Sequence, residues 1–301
     1  MILRFLDYVE IKTKITSTFT FLLTLLFLLY QGRTLAWKET IVFFMAMFLF
    51  DLTTTAINNY IDSKDNGQIL PFERKRARFL IYGLFAVSTG LGLYLAYETD
   101  LVVLVVGGLC FFCGVFYTYG PIPISRQPLG EVFSGFFYGA MIPFLLAYIN
   151  SPEGTYLSYH LSVESISLEL KVLSIGTLLL LCVTPFCVTA NIMLANNICD
   201  LEKDITVKRY TLPYYIGEYA LPLFAGLYYI TYFASILMVV FRILPPIYLV
   251  SLLSMIPVQK NIHTFYQKQM KEETFVCSIQ NFILIMGGNI LALVLCLFFQ
   301  F

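Results

Sequence analysis

Residues 172–199 read VLSIGTLLLLCVTPFCVTANIMLANNIC, and Asp200-Leu201-Glu202-Lys203-Asp204 follows at once. The stretch contains no Asp, Glu, Lys or Arg. A helix crossing the hydrocarbon core of a bilayer needs about 20 mostly apolar residues, so this stretch reads as a membrane span that ends in a cluster of acids. The rest of the chain agrees. Of 301 residues, 58% are hydrophobic and 13% charged, and the mean hydropathy is +0.78. A soluble domain carries about 45–50% apolar and about 25% charged residues.

Nineteen basic and nineteen acidic residues cancel to a formal charge of zero. That balance excludes a nucleic-acid binder working through a strongly basic surface and a charged disordered chain. Outward from 172–199, eight further spans are predicted, giving nine: 15–31, 40–61, 79–97, 101–119, 130–149, 172–199, 218–240, 242–257 and 275–299. The expected architecture is all-α: one transmembrane domain over 1–301, a helix bundle around a central cavity. Its repeat halves lie at about 1–119 and 130–257, with a final helix at 275–299. The first span does not read as a signal peptide, since no small-x-small cleavage site precedes Gln31-Gly32-Arg33. Spans three and four are joined by Glu98-Thr99-Asp100, a tight hairpin, and Pro245-Pro246 makes the eighth span kinked or late-starting.

Charge placement sets the orientation. With the N-terminus inside, the inner segments hold Arg4, Lys12, Lys14, Lys64, Arg74, Lys75, Arg76, Arg78, Arg126, Lys203, Lys208, Arg209, Lys260, Lys268 and Lys271. The outer segments hold Arg33, Lys38, Lys171 and Arg242. Fifteen against four is a strong positive-inside asymmetry. The polar loops at 62–78, 120–129, 200–217 and 258–274 are therefore expected to be cytoplasmic and the C-terminal Phe301 outside. The outer loop at 150–171 alternates from Leu161 to Leu170, which fits a short hairpin or a surface helix. Cys110 and Cys113 form a CxxC inside a span, with no second pair or histidine at ligand spacing, so buried thiols are expected there and at the other five cysteines. His160 and His263 read as solvated loop residues on opposite sides.

The acidic cluster has a counterpart. Asn58-Asn59-Tyr60-Ile61-Asp62-Ser63-Lys64-Asp65-Asn66 and Asn196-Asn197-Ile198-Cys199-Asp200-Leu201-Glu202-Lys203-Asp204 align at an offset of 138, both beginning Asn-Asn-x-x-Asp. Each closes a span that runs outside to inside, which describes a parallel repeat about an axis along the membrane normal. Asn58 and Asp62 are four apart, as are Asn196, Asp200 and Asp204, and residues at i and i+4 share a helix face. Two such faces meeting would gather three or four carboxylates, which repel unless a cation joins them. Oxygen-only ligands favour Mg²⁺, completed by water and phosphate. A single polar cluster at a helix end is often mere punctuation; two at matching positions argue for function, because intramembrane acids are expensive. Lys208 and Arg209 follow the second cluster closely enough to clamp a phosphate, whereas Arg76 and Arg78 fit a plain anchoring role. Such a set at the mouth of an apolar cavity suits a substrate with a diphosphate head and a greasy tail. Asp51, mid-span, needs a partner and stands apart from the site.

These residues resemble the UbiA superfamily of intramembrane aromatic prenyltransferases, which carries an Asn-Asp-x-x-Asp-x-x-x-Asp-like motif after its second helix and Asp-x-x-x-Asp after its sixth. The 1,4-dihydroxy-2-naphthoate polyprenyltransferase branch of menaquinone synthesis is more similar still. Its Asn-Asn-x-x-Asp-x-x-x-Asp stretch with a basic Thr-Leu segment matches Asn196–Asp204 and Lys208-Arg209-Tyr210-Thr211-Leu212-Pro213. Its Tyr-Thr-x-Gly-Pro-x-Pro loop and Leu-Gly-Glu match Tyr117-Thr118-Tyr119-Gly120-Pro121-Ile122-Pro123 and Leu129-Gly130-Glu131. The chain departs from the superfamily at Asn59 and Asn66, where Asp is usual. It departs again at Pro121, four after Tyr117, where many relatives have Lys and where Arg126 is the replacement cation to consider.

The resemblance implies Mg²⁺-dependent transfer of a polyprenyl group from its diphosphate to an aromatic acceptor within the lipid bilayer. The naphthoate acceptor would lose CO₂ and give demethylmenaquinol; 4-hydroxybenzoate, homogentisate and heme are alternatives. Asp62 with Asn58, and Asp200 with Asp204, would hold metal. Lys208, Arg209, Arg126, Asn58 and Asn196 would bind the diphosphate and stabilise the leaving anion. Tyr117 and Tyr119 would shield the allylic cation through their ring faces. A secondary transporter is the competing class, since repeats and intramembrane acids are also typical there; its sites usually lie near the midplane rather than at span ends.

Overall fold

The computed structural model describes residues 2–65, 70–117, 119 and 124–299. Asn66, Thr118, residues 120–123, Phe301 and the side chains of Lys64, Asp65 and Arg126 lie outside the described residues. The helices are α1 Ile2–Tyr8, α2 Ile15–Tyr30, α3 Trp37–Asp65, α4 Arg74–Glu98, α5 Leu101–Phe116, α6 Gly130–Phe136 and α7 Ile142–Ile149. After a hairpin of β1 Leu157–Leu161 and β2 Ile166–Leu170 come α8 Val172–Cys199, α9 Leu201–Thr206, α10 Leu212–Ile216, α11 Ala220–Val240, α12 Met255–Gln267 and α13 Val276–Phe298.

Seven helical stretches among the described residues are long and apolar enough to cross a membrane: Ile11–Tyr30, Trp37–Ser63, Arg74–Glu98, Gly130–Ile149, Val172–Cys199, Leu212–Val240 and Val276–Phe298. The protein is a multi-pass membrane protein. Seven of the nine predicted spans coincide with these stretches; 101–119 and 242–257 do not. α5 is a shorter apolar helix of 16 residues. The region read as span 242–257 is a 3₁₀ stretch at Pro246–Ser254 that passes into α12. Pro245 and Pro246 explain the late start, since proline supplies no backbone N–H for a preceding turn.

Polar residues fix the helix ends around Asp100 and Asn150. Asp100 caps α5 by accepting from the backbone N–H of Val102 at 2.9 Å and Val103 at 3.2 Å, and the Tyr148 hydroxyl donates to its other oxygen. Asn150 accepts from the Ala36 N–H and the Thr40 hydroxyl. The segment 150–171 is a hairpin, not a helix. Leu157, Tyr159 and Leu161 pair with Leu170, Leu168 and Ile166, while Ser158 and His160 pair with Glu169 and Ser167. One face of the ribbon is thus wholly apolar and the other polar, as period-two alternation demands.

A close backbone approach lies between the helix from Gly130 to Ile149 and α8. α8 carries Pro185 in its interior, and facing it the other helix makes a π-turn at Phe137–Met141. A Cβ on Gly139 would stand 2.2 Å from the Phe186 nitrogen, and one on Gly135 2.9 Å from the Phe186 carbonyl oxygen. Small residues permit such contact between membrane helices. At the other end, α1 folds back on α3, its Tyr8 hydroxyl donating to the Ala56 carbonyl at 2.9 Å.

Candidate functional site

The two acidic motifs end their helices differently. Asn58 and Asp62 lie within α3, which runs unbroken to Asp65. α8 ends at Cys199, and Asp200 is the junction to α9. Helical hydrogen bonding nevertheless continues across the break, Asp200 N–H to the Asn196 carbonyl at 3.0 Å and Asp204 N–H to the Asp200 carbonyl at 2.8 Å. The expected i, i+4 face of Asn196, Asp200 and Asp204 is therefore preserved.

Asp200 and Asp204 of the second motif each have a cation. Lys271, in the turn before α13, places its Nζ 2.8 Å from Asp200 Oδ2 and also donates to Asn196 Oδ1. Arg209 Nη1 lies 3.7 Å from Asp204 Oδ1, and its Nε donates to the Ser125 carbonyl at 2.9 Å. This second bond ties the basic segment to the loop after α5. The turn that brings Arg209 back passes through Lys208, whose φ is 57°; its side chain is exposed. Burial holds the Asp204 carboxyl above its ordinary range, with the Arg209 charge opposing and Asp200 adding to the shift.

Beside this motif the Asn197 amide donates to Glu131 Oε1 at 2.8 Å, both residues being buried. One oxygen of each of three residues, Asp204 Oδ2, Asn197 Oδ1 and Glu131 Oε2, is buried without a hydrogen-bond donor among the described residues. Buried acceptors of that kind are costly unless something satisfies them. Unsatisfied carboxylate and amide oxygens are the donor type that a hard divalent cation such as Mg²⁺ takes. Among the described residues no three His, Cys, Asp or Glu side chains converge on one point, so the pooled carboxylates expected from the repeat are not gathered in this arrangement. Like charges separate onto Lys271 and Arg209 instead.

Asn58 and Tyr117 stand at one end of a cavity of about 310 Å³ between α3, α5 and the helix from Gly130 to Ile149. Phe50, Phe111, Phe133 and Phe137 contribute to its wall, as do Cys110 and Cys113. Tyr117 donates to the Met193 sulfur at 3.9 Å. A Cβ on Gly130 would come within 3.2 Å of its hydroxyl, which gives the Leu-Gly-Glu glycine a local reason. Tyr119 is 61% exposed and does not line the cavity. Asn59 is directed away, donating to the Tyr8 carbonyl at 2.9 Å and to Glu10.

Two placements differ from the sequence reading. Lys14, counted among the inner anchors, is 3% exposed and ion-paired with Asp51 at 2.8 Å, so its charge serves the mid-span acid rather than the headgroups. Lys271, also counted as an anchor, belongs to the second motif. No local spacing announces it, because it is 71 residues from Asp200.

The model of the UbiA prenyltransferase family matches residues 17–286. The chain belongs to the UbiA prenyltransferase family. This UbiA-family chain is also 26% identical over 196 residues to a 1,4-dihydroxy-2-naphthoate octaprenyltransferase of Bacillus subtilis (strain 168), covering 60% of the chain and 57% of that relative's length. Solved structures show the same fold. A UbiA homolog from Aeropyrum pernix K1 superposes with a TM-score of 0.66 at 17% identity, over 91% of this chain and 97% of that one. A UbiA homolog from Archaeoglobus fulgidus bound to GPP and Mg²⁺ does so with a TM-score of 0.62 at 12% identity, over 97% and 99%.

Proposed function

We propose that the protein transfers a polyprenyl group from polyprenyl diphosphate to 1,4-dihydroxy-2-naphthoate. The allylic C–O bond breaks and diphosphate leaves. A C–C bond forms at the ring carbon bearing the carboxylate, and CO₂ departs while its bonding electrons stay in the ring. The observation that carries this reading is the apolar, Phe-walled cavity with Asn58 of the first acidic motif at its end. Such a chamber takes a hydrocarbon tail while the polar motif takes its head. The name of the Bacillus relative and the GPP and Mg²⁺ bound to the Archaeoglobus homolog support the same chemistry.

Asn58, Asp62, Asp200 and Asp204 would hold Mg²⁺, which when bound neutralises the diphosphate and makes it a better leaving group. Arg209, fixed by Ser125, and Lys208 stabilise the departing anion; Arg126, in the loop after α5, and Asn196, in the last turn of α8, serve the same head. Tyr117, on the cavity wall, shields the allylic cation; Tyr119, exposed, is left out of that role. The repeat and the basic asymmetry support a cytoplasmic position for this head-binding end.

The test is diphosphate release and quinol-precursor formation by the purified protein given the naphthoate and a polyprenyl diphosphate, with and without Mg²⁺. Release is expected only with Mg²⁺, and Asp62→Asn and Asp200→Asn should each lower it by roughly 10²-fold. Undiminished release in both variants would overturn the site. Release without prenylation of the naphthoate would overturn the acceptor.

A further inference from the structure

Asp51 is the acid that the diphosphate chemistry does not use. It sits mid-way along α3, almost fully buried, and holds three donors: Lys14 Nζ at 2.8 Å and the Tyr138 hydroxyl at 2.7 Å on Oδ1, and the Ser17 hydroxyl at 2.7 Å on Oδ2. Lys14 also donates to the Thr55 hydroxyl. Burying an ion pair brings little net stability over apolar packing, and an ionisable group at membrane depth marks a functional site by default.

Three observations converge on this network. First, Asp51, Ser17 and Tyr138 line the cavity, whereas Lys14 lies behind them; a simple helix brace has no need to face the chamber. Second, Tyr138 belongs to the π-turn Phe137–Met141, a rare distortion found mostly at functional sites. Third, Asp51 is seven residues from Asn58 on α3. That spacing keeps the same helix face and places Asp51 about 10 Å deeper, at a rise of about 1.5 Å per residue. A diphosphate at Asn58 and Asp62 therefore points its reactive carbon toward this depth.

The chemistry of the network selects a ligand. Lys14 and Asp51 cancel, so the wall offers no net charge to a carboxylate. Tyr138 spends its proton on Asp51 and keeps its oxygen lone pairs, which makes it an oriented acceptor. Phe50, Phe111 and Phe137 nearby provide apolar surface for a ring. We propose that Tyr138, oriented by Asp51 and Lys14, accepts a hydrogen bond from a ring hydroxyl of the aromatic acceptor and so places the ring beside the allylic carbon. This deepens the prenyltransferase reading and rests on it; Tyr138 is a binding residue, and Asp51 and Lys14 position it.

The test compares 1-naphthol with 1-methylnaphthalene, a near-isostere lacking the hydroxyl, in equilibrium binding to the full-length protein in detergent, without Mg²⁺ or prenyl diphosphate. Wild type should bind 1-naphthol about tenfold more tightly, the worth of one good hydrogen bond to a charge-linked group. Tyr138→Phe should bind both compounds equally, at the methylnaphthalene level. Asp51→Asn should lose most of the preference; should that variant fail to fold, Tyr138→Phe decides alone, since it removes one atom. No preference in wild type, binding of neither compound, or a preference that survives in Tyr138→Phe each overturns the proposal. Turnover is not needed for this measurement, so its failure is separable from failure of the Mg²⁺-dependent release assay.

Discussion

Glu131 is buried, and one of its oxygens is matched to the Asn197 amide while the other has no donor among the described residues. Replacing it by Gln keeps an acceptor for Asn197 and supplies an N–H, whereas Ala leaves the amide unpaired. Glu131→Ala should cost about 1–3 kcal/mol and Glu131→Gln much less, read as the thermal midpoint of the detergent-solubilised protein. Equal loss in both variants would mean that volume, not pairing, matters there. At this scale the sequence reveals what spacing can reveal. Asn196, Asp200 and Asp204 were legible because the helix repeat puts them on one face. Lys271 and Lys14 were not, because a basic residue near a span end looks the same whether it meets lipid headgroups or an acid 37 residues away.

Among the elements, the contact of the π-turn with the Pro185–Phe186 step of α8 leaves no room for a side chain at Gly139. A methyl on Gly139 would stand 2.2 Å from the backbone nitrogen of Phe186, and no side-chain rotation relieves a backbone clash. Gly139→Ala should therefore destabilise by more than the ~1–3 kcal/mol of ordinary overpacking. Gly176→Ala, in the same α8 but with nothing within 4 Å of the new Cβ, should be neutral or raise stability by up to about 1 kcal/mol through helix propensity. Melting curves of the two variants side by side check this. Element positions were largely readable because apolar length is a bilayer requirement. The π-turn was not, since it arises from two helices meeting at a proline and leaves no periodic signature in either. The stretch from Leu161 to Leu170 fits a hairpin or a surface helix in sequence, because its apolar alternation slips phase between Val163 and Ile166 and only the pairing partners decide.

At the scale of the whole molecule, the sequence assigns fifteen basic residues to inner and four to outer segments, an asymmetry that predicts the orientation in the membrane. Orientation can be measured with single cysteines at two exposed sites, Val163→Cys in the hairpin turn and Glu202→Cys in α9. A membrane-impermeant maleimide should label position 163 in intact cells and position 202 only after permeabilisation; the reverse pattern would invert the topology. The native cysteines are buried or half-buried, so background labelling should be low. One element fits this membrane poorly. α5 has 16 residues and spans about 24 Å, against a hydrocarbon core of about 30 Å. Hydrophobic mismatch of that size is met by local thinning of the bilayer. Because α5 forms a wall of the cavity and ends at Tyr117, the lipid surface would dip beside the chamber's polar end. A lipid diphosphate drifting in the leaflet would then find its headgroup already lowered toward Asn58, with less hydrocarbon left for that charge to cross.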